Sequence, residues 1–256
     1  MKRILLLGIV LLVILTSSAY AQMPGDDCVV GKVDASVAYD GTAHVKMIYR
    51  FTCSGTIDYT GQVTKMLISL PLNDVKNVEV EDGLGSMKVL EGPEYVKVEK
   101  DSDESKIGII FRKGLLINRE TNDYDIAIEF DTDSLVTEGE SVNSISSGVL
   151  VANPKVTIIT SGMTETVLPV NAFDFALKLD EEASIQSVKP SVCAIEGGDV
   201  ECADLSKQEM EQLEISWTGG STGWGGKIQG FTKKYLPAAG DFLGSLFGNI
   251  KDMLDK

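Results

Sequence analysis

From Val29 to Trp217 the chain keeps returning to one pattern: an apolar residue, then a polar one, with turn residues between the runs. Tyr124, Ile126, Ile128 and Phe130 alternate with Asp123, Asp125, Ala127 and Glu129. Val45, Met47, Tyr49 and Phe51 alternate with His44, Lys46, Ile48 and Arg50, and Phe173, Phe175, Leu177 and Leu179 with Asp174, Ala176, Lys178 and Asp180. Successive side chains of a strand point to opposite faces, so each run reads as a strand with one buried and one wet face. Helical periodicity is nearly absent before residue 203. Many short strands separated by turns predict an all-β protein, an antiparallel β-sandwich built as one large or two small Ig-like sub-domains. The polar, Ser-, Glu- and Gly-rich stretch from Asp131 to Ser147 predicts a boundary, with one sub-domain over 22–133 and a second over 148–218. A single sandwich whose sheets exchange strands across that stretch is the alternative.

The amino terminus carries Lys2 and Arg3, an apolar run from Ile4 to Leu15, and Ala19-Tyr20-Ala21. A basic start, a short apolar stretch and an A-x-A site read as an export signal over 1–21, leaving Gln22 as the first mature residue. The apolar run falls short of the roughly 20 residues that span a bilayer; retention as an anchor is the alternative. The expected location is extracytoplasmic, secreted or associated with the cell surface. Net charge is −15, and −17 once Lys2 and Arg3 are removed. That excess repels phosphate backbones and argues against nucleic acid as a partner.

All four cysteines, Cys28, Cys53, Cys193 and Cys202, lie in the mature chain, and an even number in an exported chain reads as disulfides. No CxxC occurs and His44 is the sole histidine, so no zinc pattern is present. With Gly197-Gly198 as a two-residue turn, Cys193 falls opposite Cys202 in a non-hydrogen-bonded pair. Such pairs sit about 4.5 Å apart between Cα atoms, within disulfide range. Cys28–Cys53 is the remaining bridge. A two-residue turn at Asp40-Gly41 sets these cysteines opposite each other but sets Val33 against Ile48, mismatching the apolar faces. A three-residue loop, Tyr39-Asp40-Gly41, instead pairs Val33 with Met47 and Ala35 with Val45, and a bulge at Gly31 would reconcile the two registers.

After Trp217 the composition changes. Residues 219–226 are glycine-rich and read as a linker, and 227–256 form a tail of charge +2. On a helical wheel Phe242, Leu243, Leu246, Phe247, Ile250, Met253 and Leu254 fall within an arc of about 140°. A C-terminal amphipathic helix sorted so completely has something apolar to meet. A bilayer surface would take these side chains at the headgroup boundary, with Trp224 at the interface and Lys227, Lys233 and Lys234 on anionic lipid. A membrane-bound protein partner would take them in a groove. The third occupant is the protein's own body, or its twin in a homo-oligomer.

Catalysis finds little support. A histidine-based hydrolase has only His44, on the polar side of a strand. The cysteines are committed to disulfides, and no carboxylate pair stands out among 38 acidic residues. No cofactor is expected beyond a weak calcium candidate at Asp101, Asp103 and Glu104. The EF-hand pattern fails there, because Lys106 stands at the glycine position and Arg112 at the bidentate acid.

Leu67 to Leu72 read L-I-S-L-P-L before the valine-rich Val75 to Val80, and Val167-Leu168-Pro169-Val170 precede Phe173 to Leu179 and Ile185 to Val188. A strand ending in Leu-Pro, then a turn and a valine-rich strand, resembles the exported β-sandwich modules of archaeal cell-surface proteins, over residues 30–215. The resemblance implies a surface-displayed β domain. Such modules often precede a transmembrane helix, whereas this chain ends in the amphipathic segment. The expectation is a non-catalytic envelope protein held to a membrane or a membrane-bound partner. The alternatives are a secreted carbohydrate-active enzyme using two carboxylates, and a surface-filament subunit that shares strands.

Overall fold

The computed structural model describes residues 28–55, 60–85, 87–139 and 142–219. The export signal expected over 1–21 lies outside them. So does the tail over 227–256, with Lys233, Lys234, Phe242, Leu243, Leu246, Phe247, Ile250, Met253 and Leu254, and so does the linker beyond Gly219, with Trp224.

The alternating runs form three sheets. The first has seven strands in the order β14 (Ala194–Glu196), β15 (Asp199–Leu205), β12 (Val170–Lys178), β1 (Cys28–Tyr39), β2 (Ala43–Cys53), β7 (Asn122–Thr132) and β4 (Lys76–Leu84). The second has five, in the order β11 (Met163–Val167), β10 (Lys155–Ile159), β3 (Gly61–Leu70), β6 (Ser105–Ile117) and β5 (Pro93–Lys100). The third has four: β13 (Ser184–Lys189), β16 (Glu214–Thr218), β9 (Asn143–Ser146) and β8 (Val136–Glu138). Their inward faces pool into one hydrophobic cluster that runs in sequence from Cys28 to Trp217. The described residues are thus all-β in class, apart from a 3-10 turn at Ser147–Leu150 and one short helix, α1 (Lys207–Glu211). Ser206 caps that helix: its hydroxyl accepts from the Glu209 N–H at 3.3 Å, and its own N–H donates to the Glu209 carboxylate at 2.9 Å. The helix buries Met210 against the sandwich. No helix among the described residues is long and apolar enough to cross a membrane.

Three expectations need correction. The sandwich is not wholly antiparallel, because β1 and β12 run parallel, with Val33 beside Phe173, Ala35 beside Phe175 and Val37 beside Leu177. Parallel pairing needs a long crossover, and the chain between Tyr39 and Val170 supplies one. The boundary near Asp131–Ser147 does not separate two cores. Strands from both sides of it share the seven-stranded and five-stranded sheets. The polar stretch itself holds β8 and β9, whose wet faces make it polar and whose Val136 and Ile145 are buried beside Leu135.

The third correction is one of register. Both disulfides form, Cys28–Cys53 and Cys193–Cys202, each with Cα atoms 4.2 Å apart. The second sits on the expected hairpin, with Glu196 opposite Asp199. In the first, Val30 pairs with Phe51, the register shifts at Gly31, and Lys32 pairs with Arg50. The bulge therefore falls where expected, but the loop is Asp40-Gly41-Thr42 and Val33 faces Tyr49, not Met47. An extra residue on β1 can advance the pairing in one direction only; the Val33–Met47 register would need the bulge on β2. Alternation cannot separate the two, since both keep apolar side chains on the same face. Gly41 sits in the loop at φ 108°, a backbone conformation that glycine adopts without strain.

Candidate binding face on the five-stranded sheet

Two outward sheet faces carry rows of charged side chains, and on both most of the cations are met by carboxylates of the same face. On the seven-stranded sheet the cations are partnered by carboxylates of the same face. Lys32 Nζ lies 2.7 Å from Asp174 and 2.9 Å from Asp204. Arg50 Nε donates to Asp34 at 3.0 Å, Lys46 pairs with Glu129, and Lys76 lies 2.8 Å from Asp133. His44 Nδ1 lies 2.7 Å from Asp131. The face also holds Glu79 and Glu81 on β4, beside Glu129 on β7. Burial pushes the Glu81 carboxyl up to about 7; Lys46 opposes that shift, and Glu129 and Glu79 add to it. These carboxylates come nearest to what the enzymatic alternative requires, but they stand side by side on neighbouring strands rather than across a cleft.

The calcium candidates lie in the β5–β6 turn, where Asp101 and Asp103 both turn to Ser102 and Glu104 turns to Lys106. Asp101 accepts from the Ser102 N–H at 2.8 Å, Asp103 from the Ser102 hydroxyl at 3.2 Å, and Glu104 pairs with Lys106. Among the described residues no three His, Cys, Asp or Glu side chains gather to hold a metal.

The outward face of the five-stranded sheet differs in its relief and in its exposed apolar side chains. Strand register lays its side chains in rows across the sheet. One row runs Lys97, Gly108, Leu67, Lys155 and Val167 over β5, β6, β3, β10 and β11. The next runs Tyr95, Ile110, Lys65, Thr157 and Glu165 over the same strands. Adjacent strands lie about 4.8 Å apart, so the backbones of Lys97 and Lys155 are about 14 Å apart, with Gly108 and Leu67 between them. Because Gly108 has no side chain, the centre of the face is recessed into a depression of about 250 Å³ lined by Tyr95, Lys65, Lys97, Lys155 and Glu165 over Leu67 and Ile110.

Three lysines and one carboxylate line this depression. Lys97 pairs with Glu99 outside it, and Lys155 with Glu165. The hydrogen bond from Lys155, and then its charge, hold Glu165 below the usual carboxylate range, and Lys65 adds to the effect. With Glu99 and Glu165 set against the three lysines, the depression and its rim keep a net charge of +1 in a chain of charge −15. The face is also apolar: Tyr95 is 52% exposed, Val167 55% and Met163 67%, and Ile159 and Leu116 extend the same face through Gln62.

Sequence reasoning placed functional weight on the tail and passed over this face. The signal was there in Ile158-Ile159 and in Met163-Thr164-Glu165-Thr166-Val167, where apolar residues fall on the side that an ordinary wet face reserves for polar ones.

No protein-family model matches the chain, and no curated protein matches it in sequence. Among solved structures, it aligns with a two-domain M1 zinc metallopeptidase bound to L-arginine at 10% identity and a TM-score of 0.40, over 75% of this chain and 42% of that one. An M1 zinc metallopeptidase from Deinococcus radiodurans aligns at 10% identity and a TM-score of 0.37, with the same coverage. Native yeast LTA4 hydrolase aligns at 10% identity and a TM-score of 0.36, over 83% of this chain and 34% of that one. The chain thus spans less than half the length of each of these proteins.

Proposed function

We propose that the chain is an exported, non-catalytic binding module of the cell envelope, akin to the β-sandwich modules of archaeal surface proteins. Its sandwich presents the outward face of the five-stranded sheet to a negatively charged partner. Its segment 227–256 holds it to a membrane surface or to a membrane-bound protein. The observation that carries the reading is the gathering of Lys65, Lys97 and Lys155 around an exposed apolar floor in a strongly acidic chain. A local positive potential on an acidic body steers anionic partners to one face and repels them elsewhere. The two disulfides suit an oxidising compartment.

Co-flotation with liposomes tests the attachment. The mature chain from Gln22 floats with anionic vesicles, a chain lacking 227–256 stays behind, and high salt weakens the association by screening the lysines. Equal behaviour of both chains would reject the tail as the anchor.

A second reading has one observation in its favour. Strand β11 is an outermost strand of its sheet, with Met163 and Val167 exposed, which suits strand sharing between copies in a filament. The Val167 N–H points away from β10 to the free edge, so replacing Val167 with proline would block that edge and leave sedimentation unchanged if the protein does not assemble this way.

A further inference from the structure

We infer that the depression over Gly108 is a subsite for one acidic sugar residue, a pyranose ring bearing a carboxylate or a sulfate. This names the partner of the face described above and rests on that reading.

Three features of the site ask for different parts of such a ligand. The floor is apolar, formed by Leu67 opposite Gly108 on β3 and by Ile110 two residues along β6, with the Tyr95 side chain left half exposed at its edge. A large aromatic side chain kept at a surface depression suits a ligand with its own apolar face, and the C–H faces of a pyranose ring supply one. The rim carries the cations, and a ring lying on the floor would bring its anionic group within reach of their ammonium groups. Glu165, on the same rim, offers an acceptor for ring hydroxyls.

Size and topology narrow the choice. A volume of about 250 Å³ is below that of sites for drug-sized ligands and suits a single ring. β5 and β11 are the outermost strands of the sheet, so a polymer can continue past the site at either side. A compact anion such as phosphate would use the lysines and leave Tyr95 and the floor idle. A bilayer would touch the whole face and has no use for a recess.

The depression can be filled without disturbing the fold. A Cβ built on Gly108 lies 3.8 Å from the Lys97 carbonyl oxygen and 3.9 Å from Leu67 Cδ1, which is ordinary contact. Calorimetry with the full mature chain would use polygalacturonate, dextran sulfate, neutral dextran, inorganic phosphate and anionic vesicles. Binding of polygalacturonate or dextran sulfate, but not of dextran, is expected, and which of the two binds assigns the carboxylate or the sulfate. Gly108→Leu and Tyr95→Ala should each weaken that binding about tenfold or more with an unchanged melting curve, while Lys46→Gln on the other sheet leaves it intact. The inference is overturned if neither acidic polymer binds, if phosphate binds as tightly as the polymer, or if vesicles bind and the polymers do not. Binding that is indifferent to Gly108→Leu and Tyr95→Ala also overturns it, since charge alone would then explain the association. Flotation through the tail is a separate readout, so failure of the sugar site and failure of membrane attachment are told apart.

Discussion

A core change in one sheet should be felt in full by a probe in another. Ile68, on β3 of the five-stranded sheet, is 1% exposed, and Trp217, on β16 of the four-stranded sheet, is fully buried. Trp217 meets Tyr39 of β1 edge-on, with ring centroids 5.6 Å apart, and so ties the four-stranded sheet to the seven-stranded one. Ile68→Ala removes buried carbons from a packed site and should cost about 2–5 kcal/mol. For a body of this size each kcal/mol moves Tm by about 2–4 °C, so a drop of about 4–20 °C is expected. The chain has two tryptophans, so Trp224→Phe leaves Trp217 as the only indole. In that background, Trp217 emission and far-UV circular dichroism should move down together by the same amount, as one cooperative unit requires. An early loss of circular dichroism with Trp217 emission still at its original midpoint would refute the single core and restore two units divided near Asp131–Ser147.

Other consequences concern the staples and one carboxyl group. The Cys28–Cys53 bridge spans 25 residues and Cys193–Cys202 spans 9, so in a chain-entropy account their removal costs about 3–4 and about 2–3 kcal/mol. The Cys28→Ser/Cys53→Ser protein should then melt below the Cys193→Ser/Cys202→Ser protein in calorimetry, and the reverse order would contradict the ranking. The folded state holds the Glu81 proton to about pH 7, above its ordinary value of 4.5, so it binds more protons than the unfolded chain between those values. The stability due to this group is therefore present below about pH 4.5 and is lost as pH rises through 7. Glu81→Gln should flatten the fall by about 1–2 kcal/mol once water screening at a half-buried site is allowed for, as read by urea titration at several pH values. Parallel pH profiles for the two proteins would show that burial does not hold that proton.

What could be read from the chain was whatever repeats locally. Alternation at Phe173–Leu179 shows which side chains go inward, because the strand period is short and burial enforces it, whereas in Tyr124–Phe130 the expected wet face is also covered, with Asp125 buried and Ala127 packed against Ile48 and Met87. The Gly197-Gly198 turn fixes Cys193 against Cys202, since both lie within one hairpin. Long-range pairing was not legible. Nothing near Val33 announces that Phe173 will lie beside it in parallel, because that contact depends on the return path of the intervening chain. The candidate face was hidden for the same reason: Lys65, Lys97 and Lys155 come from three separate strands, and only the register puts them around Gly108. At Gly31 a bulge was foreseeable from the cysteines, yet its strand decided the register beyond it.

On the proposed function, the outward face of the five-stranded sheet is the one that meets the envelope. Lysine acetylation of the mature protein, free and bound to envelopes of the cell that makes it, tests this most directly when read by mass spectrometry residue by residue. Lys65, Lys97 and Lys155 should lose reactivity on binding, while Lys32 and Lys76 on the seven-stranded sheet keep theirs. Protection of Lys32 and Lys76 with unchanged reactivity around Gly108 would assign the contact to the seven-stranded sheet instead.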